Sequence, residues 1–262
     1  MTAETALITG ASAGIGRELA RQFAAEKSNL VLVARRRERL EELAADLRRQ
    51  HGIQVHVVAA DLGQPDAPQA IVDTLAGDEL TIDVLVNNAG FGILGPVAEL
   101  DLSRQLEMVQ VNVAALTHLT RLLLPGMLQR RRGGVLNVAS TAGFQAGPFM
   151  AVYYATKAYV ISFSEALADE VASSGVAVSC LCPGPTATEF AATAKMGSAL
   201  MFRLQTMTAQ EVAQAGYRGF RRGKLLIVPG WLNYLGSMSI RFISRSMARW
   251  IAKRLQWEDK DH

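Results

Sequence analysis

Tyr153 and Lys157 stand four residues apart in Tyr153-Tyr154-Ala155-Thr156-Lys157. On a helix that step puts both side chains on one face. A phenol with an ordinary pKa of about 10 is a poor acid–base group near neutrality, and a neighbouring ammonium lowers that value by stabilising phenolate. The pair therefore reads as a proton donor with an electrostatic partner. The spacing alone is a weak signal because chance matches are common, and its weight comes from position. It follows Ser140, which closes the apolar run 135–139. Such a run is a strand, and ligands of open α/β sheets bind at the carboxyl ends of strands. Asn112, in Gln110-Val111-Asn112-Val113, interrupts a long apolar helical stretch, where it reads equally as a functional amide or a satisfied buried one. Tyr154 is three residues from Lys157, not four, and is expected to line a pocket.

A second constellation opens the chain. The apolar run 6–9 leads into Thr9-Gly10-Ala11-Ser12-Ala13-Gly14-Ile15-Gly16, followed by a helical pattern. Gly10, Gly14 and Gly16 allow a tight turn and close approach of the backbone. Ser12, Ala13 and Ile15 complete a helix N-terminus whose unpaired N–H groups and positive dipole end suit a pyrophosphate. The motif lies between the first strand and first helix of an α/β chain, which is the context it requires.

Positioning these groups needs alternating elements. Strands are expected at 6–9, 30–34, 54–60, 84–86, 135–139, 177–182 and 225–228. Helices are expected at 14–25, 36–50, 69–76, 109–129, 152–172 and 210–220. Strands apolar throughout and separated by helices predict a parallel sheet covered on both faces, doubly wound by right-handed crossovers. Three further segments then fall at strand ends: Asp61-Leu62, placed at the adenine edge of a dinucleotide, Asn87-Asn88-Ala89-Gly90, and Pro183-Gly184-Pro185-Thr186-Ala187-Thr188.

The G-x-x-x-G-x-G spacing, the N-N-A-G turn and the ordered set Asn112, Ser140, Tyr153 and Lys157 resemble the short-chain dehydrogenase/reductase family over roughly residues 5–190. The resemblance implies a single Rossmann-like domain over 1–230, with a substrate loop at 185–215; a basic amphipathic helical extension over 231–262 departs from the shortest members. The resemblance also implies a catalytic tetrad. Tyr153 protonates a carbonyl as a nicotinamide delivers hydride, and Ser140 hydrogen-bonds the same oxygen. Lys157 binds the nicotinamide ribose and lowers the Tyr153 pKa, and Asn112 holds a relay water. Asn88 would touch the cofactor, and Thr188, with Thr186 as alternate, would meet the nicotinamide. At the end of the second strand stand Ala34-Arg35-Arg36-Arg37, with no acidic residue to hold a ribose hydroxyl. A guanidinium suits a 2′-phosphate, so NADP(H) is favoured over NAD(H), through Arg35 first and Arg36 second. The segments that form family pockets supply Phe91, Ile93, Phe144, Phe149, Phe190, Met196, Met201 and Phe202. They predict an apolar ketone or aldehyde, with Phe144 and Phe190 on the substrate. A homodimer or homotetramer is expected from the resemblance.

Composition bounds the alternatives. The chain has 262 residues, half of them hydrophobic, with a formal net charge of +3. Residues 216–262 hold 10 Lys/Arg against 3 acids, and residues 1–215 hold 17 against 21. The basic balance thus belongs to the tail, and no nucleic-acid partner is expected. No metal site is expected, because Cys180 and Cys182 are the two cysteines and the four histidines are scattered. The two thiols should share one strand face as small hydrophobes in a reducing compartment. A strand beginning near residue 5 leaves no room for a signal peptide, so a cytoplasmic location is expected. Arg241, Arg245, Arg249 and Lys253 recur every four residues beside Ile240, Ile243, Met247, Trp250 and Ile251. They predict a helix that docks on the body or a second subunit, with peripheral membrane contact as the rival.

Overall fold

Alternation along the first strand shows how the layers are built. In β1 (Thr5–Thr9), Ala6 and Ile8 point into one apolar cluster and Leu7 into another, all fully buried. Side chains of successive strand residues leave opposite faces, so a strand apolar on both parities is covered on both sides. The computed structural model describes residues 3–189 and 206–256. Its central sheet comprises β1, β2 (Asn29–Ala34), β3 (Val55–Ala59), β4 (Val84–Asn87), β5 (Gly133–Val138), β6 (Val176–Leu181) and β9 (Leu226–Ile227). Their order is β3-β2-β1-β4-β5-β6-β9, and every pairing is parallel. The winding reverses between β1 and β4, which opens a crevice at their carboxyl ends.

On one face α1 (Gly14–Ala25), α2 (Arg37–His51) and α7 (Ala209–Arg221) bury Leu19, Phe23, Leu40, Leu47, Val212 and Phe220 against Ile8, Leu32 and Val86. On the other, α3 (Ala67–Gly77), α5 (Leu116–Arg130) and α6 (Ala151–Val171) bury Ile71, Leu119, Met127 and Leu167 against Leu7, Leu85 and Val135. Leu102–Arg130 is one helical run that starts earlier than the sequence pattern placed it. Asp101 caps its first segment, α4 (Leu102–Val109), by accepting from the Ser103 N–H. A π-helical turn, Gln110–Ala115, joins α4 to α5. This run is long and apolar enough to cross a membrane, but Leu119 and Met127 lie in the sheet's core. A two-strand parallel ladder, β7 (Thr186–Ala187) with β8 (Met207–Thr208), stands apart from the main sheet.

Beyond β9 the chain forms α8 (Trp231–Ser239), a 3₁₀ turn (Ile240–Phe242) and α9 (Arg245–Gln256). The four-residue recurrence of Arg241 to Lys253 is not one stripe on one helix, as expected from the sequence. Ile243 is extended (φ −111°, ψ 155°) and breaks it.

The ends of β1 and β4 are tied by one buried hydroxyl. Thr9 Oγ1 accepts from the N–H groups of Asn88 and Ala89, both at 3.0 Å, and donates to Val86 O at 3.3 Å. Thr9→Val keeps the shape and takes the acceptor from the Ala89 N–H, while Asn88 N–H keeps Val86 O at 3.1 Å; the donor left without that partner costs about 1–3 kcal/mol. A urea titration should show the unfolding midpoint falling with the slope unchanged.

Candidate active site

One cavity of about 750 Å³ runs along the carboxyl ends of the strands. Gly10, Ser12, Ala13, Gly14, Ile15, Arg35, Arg36, Asp61, Leu62 and Asn88 line one part of it, and Ser140, Tyr153, Lys157 and Thr188 line the rest. Gly16 packs beneath, against Asn88 and the Gly10 carbonyl.

The turn after β1 fits a dinucleotide phosphate on geometric grounds. Gly10 has φ +67°, and a Cβ there would meet Asn88 Nδ2 at 2.8 Å. Gly14 has φ +55°, and a Cβ there would press on Thr188 at 3.2 Å. The N-cap of α1, Ala13, offers no side-chain cap, so first-turn N–H groups open toward the cavity. Asn88 lies at the wall, but its amide faces backbone, donating to Thr9 O at 2.9 Å and Gly10 O at 3.4 Å. Those bonds shape the cradle, and Asn88 stays among the residues that line the cavity. Asp61 turns one carboxylate oxygen to the Gly63 N–H at 3.0 Å.

The arginines separate in a way their sequence does not announce. Arg36 donates to Ser12 Oγ at 3.1 Å and 3.3 Å and pairs with Glu189 at 2.8 Å. Arg39 pairs with the other oxygen of Glu189 at 2.6 Å. These guanidiniums, Arg36 first, hold the Glu189 carboxyl below the usual range. Arg35, ranked first from sequence, lies at 3.6 Å from Glu107 with its side chain largely exposed. Sequence reading missed Arg39 and Glu189. Arg39 stands one helical turn beyond Arg36, which is a usable signal; Glu189 has none.

Ser140 follows β5, where its Oγ accepts from the Ala142 N–H at 3.1 Å and donates to Pro183 O at 3.3 Å. It is also hydrogen-bonded to the Tyr153 phenol. Lys157 donates to Val138 O at 2.8 Å, and its ammonium lies 5.9 Å from the Tyr153 ring centroid. Burial pushes the Tyr153 phenol up to about 12, opposed only by the Ser140 hydroxyl, and pushes Lys157 down to about 8. Burial thus drives each group toward its neutral form. Cys180 and Cys182 are free, buried and on one strand face, with sulfurs 3.7 Å apart.

Asn112 lies on the π turn, and its amide is committed. It accepts from Phe91 N at 3.1 Å and donates to Phe91 O at 3.0 Å and Thr156 Oγ1 at 3.1 Å. It clamps the segment after β4 to α6, one residue before Lys157.

Among the expected pocket residues, Phe91 and Tyr154 line the cavity. Phe144 does not; it packs beside Leu116, Val160, Cys180 and Cys182 in the core. Ile93 packs with Met108 and Tyr153. Phe190, Met196, Met201 and Phe202 lie outside the described residues. The apolar wall comes instead from Met150 and from the extension, through Leu232, Ile240, Ile243 and Ile251. Among the described residues, no group of three or more His, Cys, Asp or Glu could hold a metal ion.

With the fold and these groups in place, the relatives are informative. A sequence model described as short chain dehydrogenase matches residues 4–198. The chain belongs to that family, whose members are oxidoreductases acting on carbonyl and hydroxyl groups. It is 35% identical over 195 residues to the very-long-chain 3-oxoacyl-CoA reductase of Anas platyrhynchos, covering 72% of this chain and 62% of that one. The chain thus spans about three fifths of the length of the curated relatives it matches. A short-chain dehydrogenase from Sphingobium yanoikuyae in complex with NADPH superposes with a TM-score of 0.81 at 33% identity, covering 93% of this chain and 97% of that one. A family member from Burkholderia phymatum in complex with NAD gives a TM-score of 0.81 at 25% identity over 92% and 95%.

Burial of Lys157 sets a measurable sign. Its folded value, about 8, lies below its ordinary 10.5. Below pH 8 both states are charged and the native one bears the burial cost. Between pH 8 and 10.5 the native state deprotonates first, so stability rises with pH. Lys157→Met removes this dependence, about 3 kcal/mol in all as an order of magnitude. Melting temperatures should favour the variant most near pH 7, with the advantage shrinking toward pH 10.

Proposed function

We propose that the chain is an NADP(H)-dependent oxidoreductase that interconverts ketones or aldehydes carrying an apolar chain with their alcohols. The observation that carries this reading is the single cavity. It joins a glycine cradle at a helix N-terminus to the half-buried Ser140 and the buried Tyr153 and Lys157, and continues into an apolar wall.

The residues present fit a nicotinamide dinucleotide. Gly10, Gly14 and the first turn of α1 would hold the pyrophosphate, with Asp61 and Leu62 at the adenine and Lys157 and Thr188 near the nicotinamide end. When bound, the nicotinamide supplies or accepts the hydride. The remaining steps belong to side chains. Tyr153 keeps its proton at neutral pH because its burial disfavours phenolate, so it stands ready to donate to a carbonyl oxygen. Ser140 hydrogen-bonds the same oxygen and stabilises its developing charge. The Lys157 ammonium favours the phenolate left behind. Asn112 clamps the segment after β4 to α6 beside Lys157, where it would hold the relay water.

Relatives carry either NADPH or NAD, so the preference here rests on this chain's own cations. Arg36, bonded to Ser12 in the cradle, and Arg39 converge on one carboxylate, Glu189. Two guanidiniums converging on one anion form a fork suited to a 2′-phosphate. The apolar wall, and relatives named for very-long-chain 3-oxoacyl substrates, support a long aliphatic ketone. Exposed Leu102, Leu106 and Val109 on α4 and Tyr159 on α6 support a second copy of the chain as partner.

NADPH oxidation against ketones graded by chain length tests the reading. Rates should rise with apolar length, and Tyr153→Phe should lose at least about a hundredfold, the contribution of a general acid. Turnover undiminished in that variant would refute the assignment. Arg36→Ala should raise the KM for NADPH by roughly tenfold, the loss of about one charge-assisted contact, with NADH little affected and Arg35→Ala milder.

A further inference from the structure

The extension packs the opposite way round from an ordinary surface helix. On α9 the buried positions are Ala248 and Ala252, while Met247, Trp250 and Ile251 are exposed. On α8 the buried position is Ser237, while Trp231, Leu232, Tyr234 and Leu235 are exposed. Between the helices Phe242 is 88% exposed. Small residues therefore meet the body and large apolar ones meet the surroundings. A helix normally turns its apolar stripe to the core, and a patch left outside marks an interaction surface.

Charge decides what kind. Residues 231–256 contain five Lys/Arg and no Asp or Glu. Arg245, Arg249 and Lys253 are exposed on α9, and the Arg254 guanidinium lies 4.9 Å over the Trp250 ring. A second copy seated here by a two-fold axis would set this face against itself, cation against cation. A surface of negative charge with an apolar interior answers both features. Tryptophan, tyrosine and phenylalanine among arginines are the composition of helices lying in a lipid headgroup layer.

The same face borders the cavity. Leu232 and Ile251 are 44% and 37% exposed and also line the cavity wall, so the apolar surface continues from outside into the site. We propose that the α8–α9 face docks on an anionic lipid bilayer and sets the cavity mouth against it, so that apolar substrates pass from the bilayer into the site. The docking stands on the face alone; the delivery of substrate rests on the function proposed above.

Co-sedimentation of the full chain with phosphatidylcholine vesicles, with and without phosphatidylglycerol, tests it. The chain should pellet with the anionic vesicles and stay largely in solution with the neutral ones. Arg245→Glu with Arg249→Glu should cut binding roughly tenfold or more, since each basic residue near the surface contributes about a factor of five; separately, Phe242→Ser with Trp250→Ser should cut it by roughly tenfold through the apolar area lost from the headgroup layer. Melting temperatures and turnover of a short water-soluble ketone should hold, because none of these four residues lines the cavity. Tyr153→Phe should bind vesicles like the unaltered chain, which separates docking from catalysis. A chain that stays in the supernatant with both vesicles, or binds both equally, overturns the proposal. So does self-association by light scattering that Phe242→Ser with Trp250→Ser abolishes while vesicle binding is absent.

Discussion

The hydroxyl of Thr9 joins the two turns at the carboxyl ends of β1 and β4. By accepting from both Asn88 and Ala89 it fixes where the chain leaves β4. Asn88, so fixed, reaches back to the carbonyls of Thr9 and Gly10 and sets the floor of the glycine cradle. From the same turn the backbone runs to Phe91, where Asn112 grips both N–H and C=O. Asn112 also bonds Thr156, and Lys157 follows. A short relay of largely half-buried hydrogen bonds thus sets the distance between the phosphate end and the acid–base end of one cavity. Buried polar groups are expensive when unpaired, so this geometry is stiff.

The sheet was legible because buried parallel strands are apolar on both faces; the run 30–34 is so, and 135–139 and 177–182 are but for Asn137 and Ser179. Serine at the end of one of them and a tyrosine–lysine step on the next helix were legible because strand ends and helix periodicity place them without tertiary knowledge. What sequence did not show depends on contacts far apart in the chain. Glu189 meets Arg36 across 153 residues, and no local pattern announces such a pair. The π turn that carries Asn112 has no composition of its own. The extension read as one helix, because a recurrence of cations every four residues does not reveal the extended backbone at Ile243.

The acid–base pair carries a separate lesson about environment. Residue types suggested a phenol lowered by its lysine, yet both groups are buried and each is driven toward its neutral form. Their proximity in sequence is a statement about direction, whereas their chemistry follows from how little solvent reaches them.

The two-rung ladder between β7 and β8 has a consequence for how such a chain can diversify. Residues 186–187 and 207–208 are clamped side by side, so the ends of the intervening segment meet whatever lies between them. Closing a loop costs free energy that grows only with the logarithm of its length, about 0.6 kcal/mol per doubling. With the closure made at its base, the length of the stretch beyond Glu189 bears little on the register of the sheet beneath, while Thr188 and Glu189 at its start stay tied to the cavity.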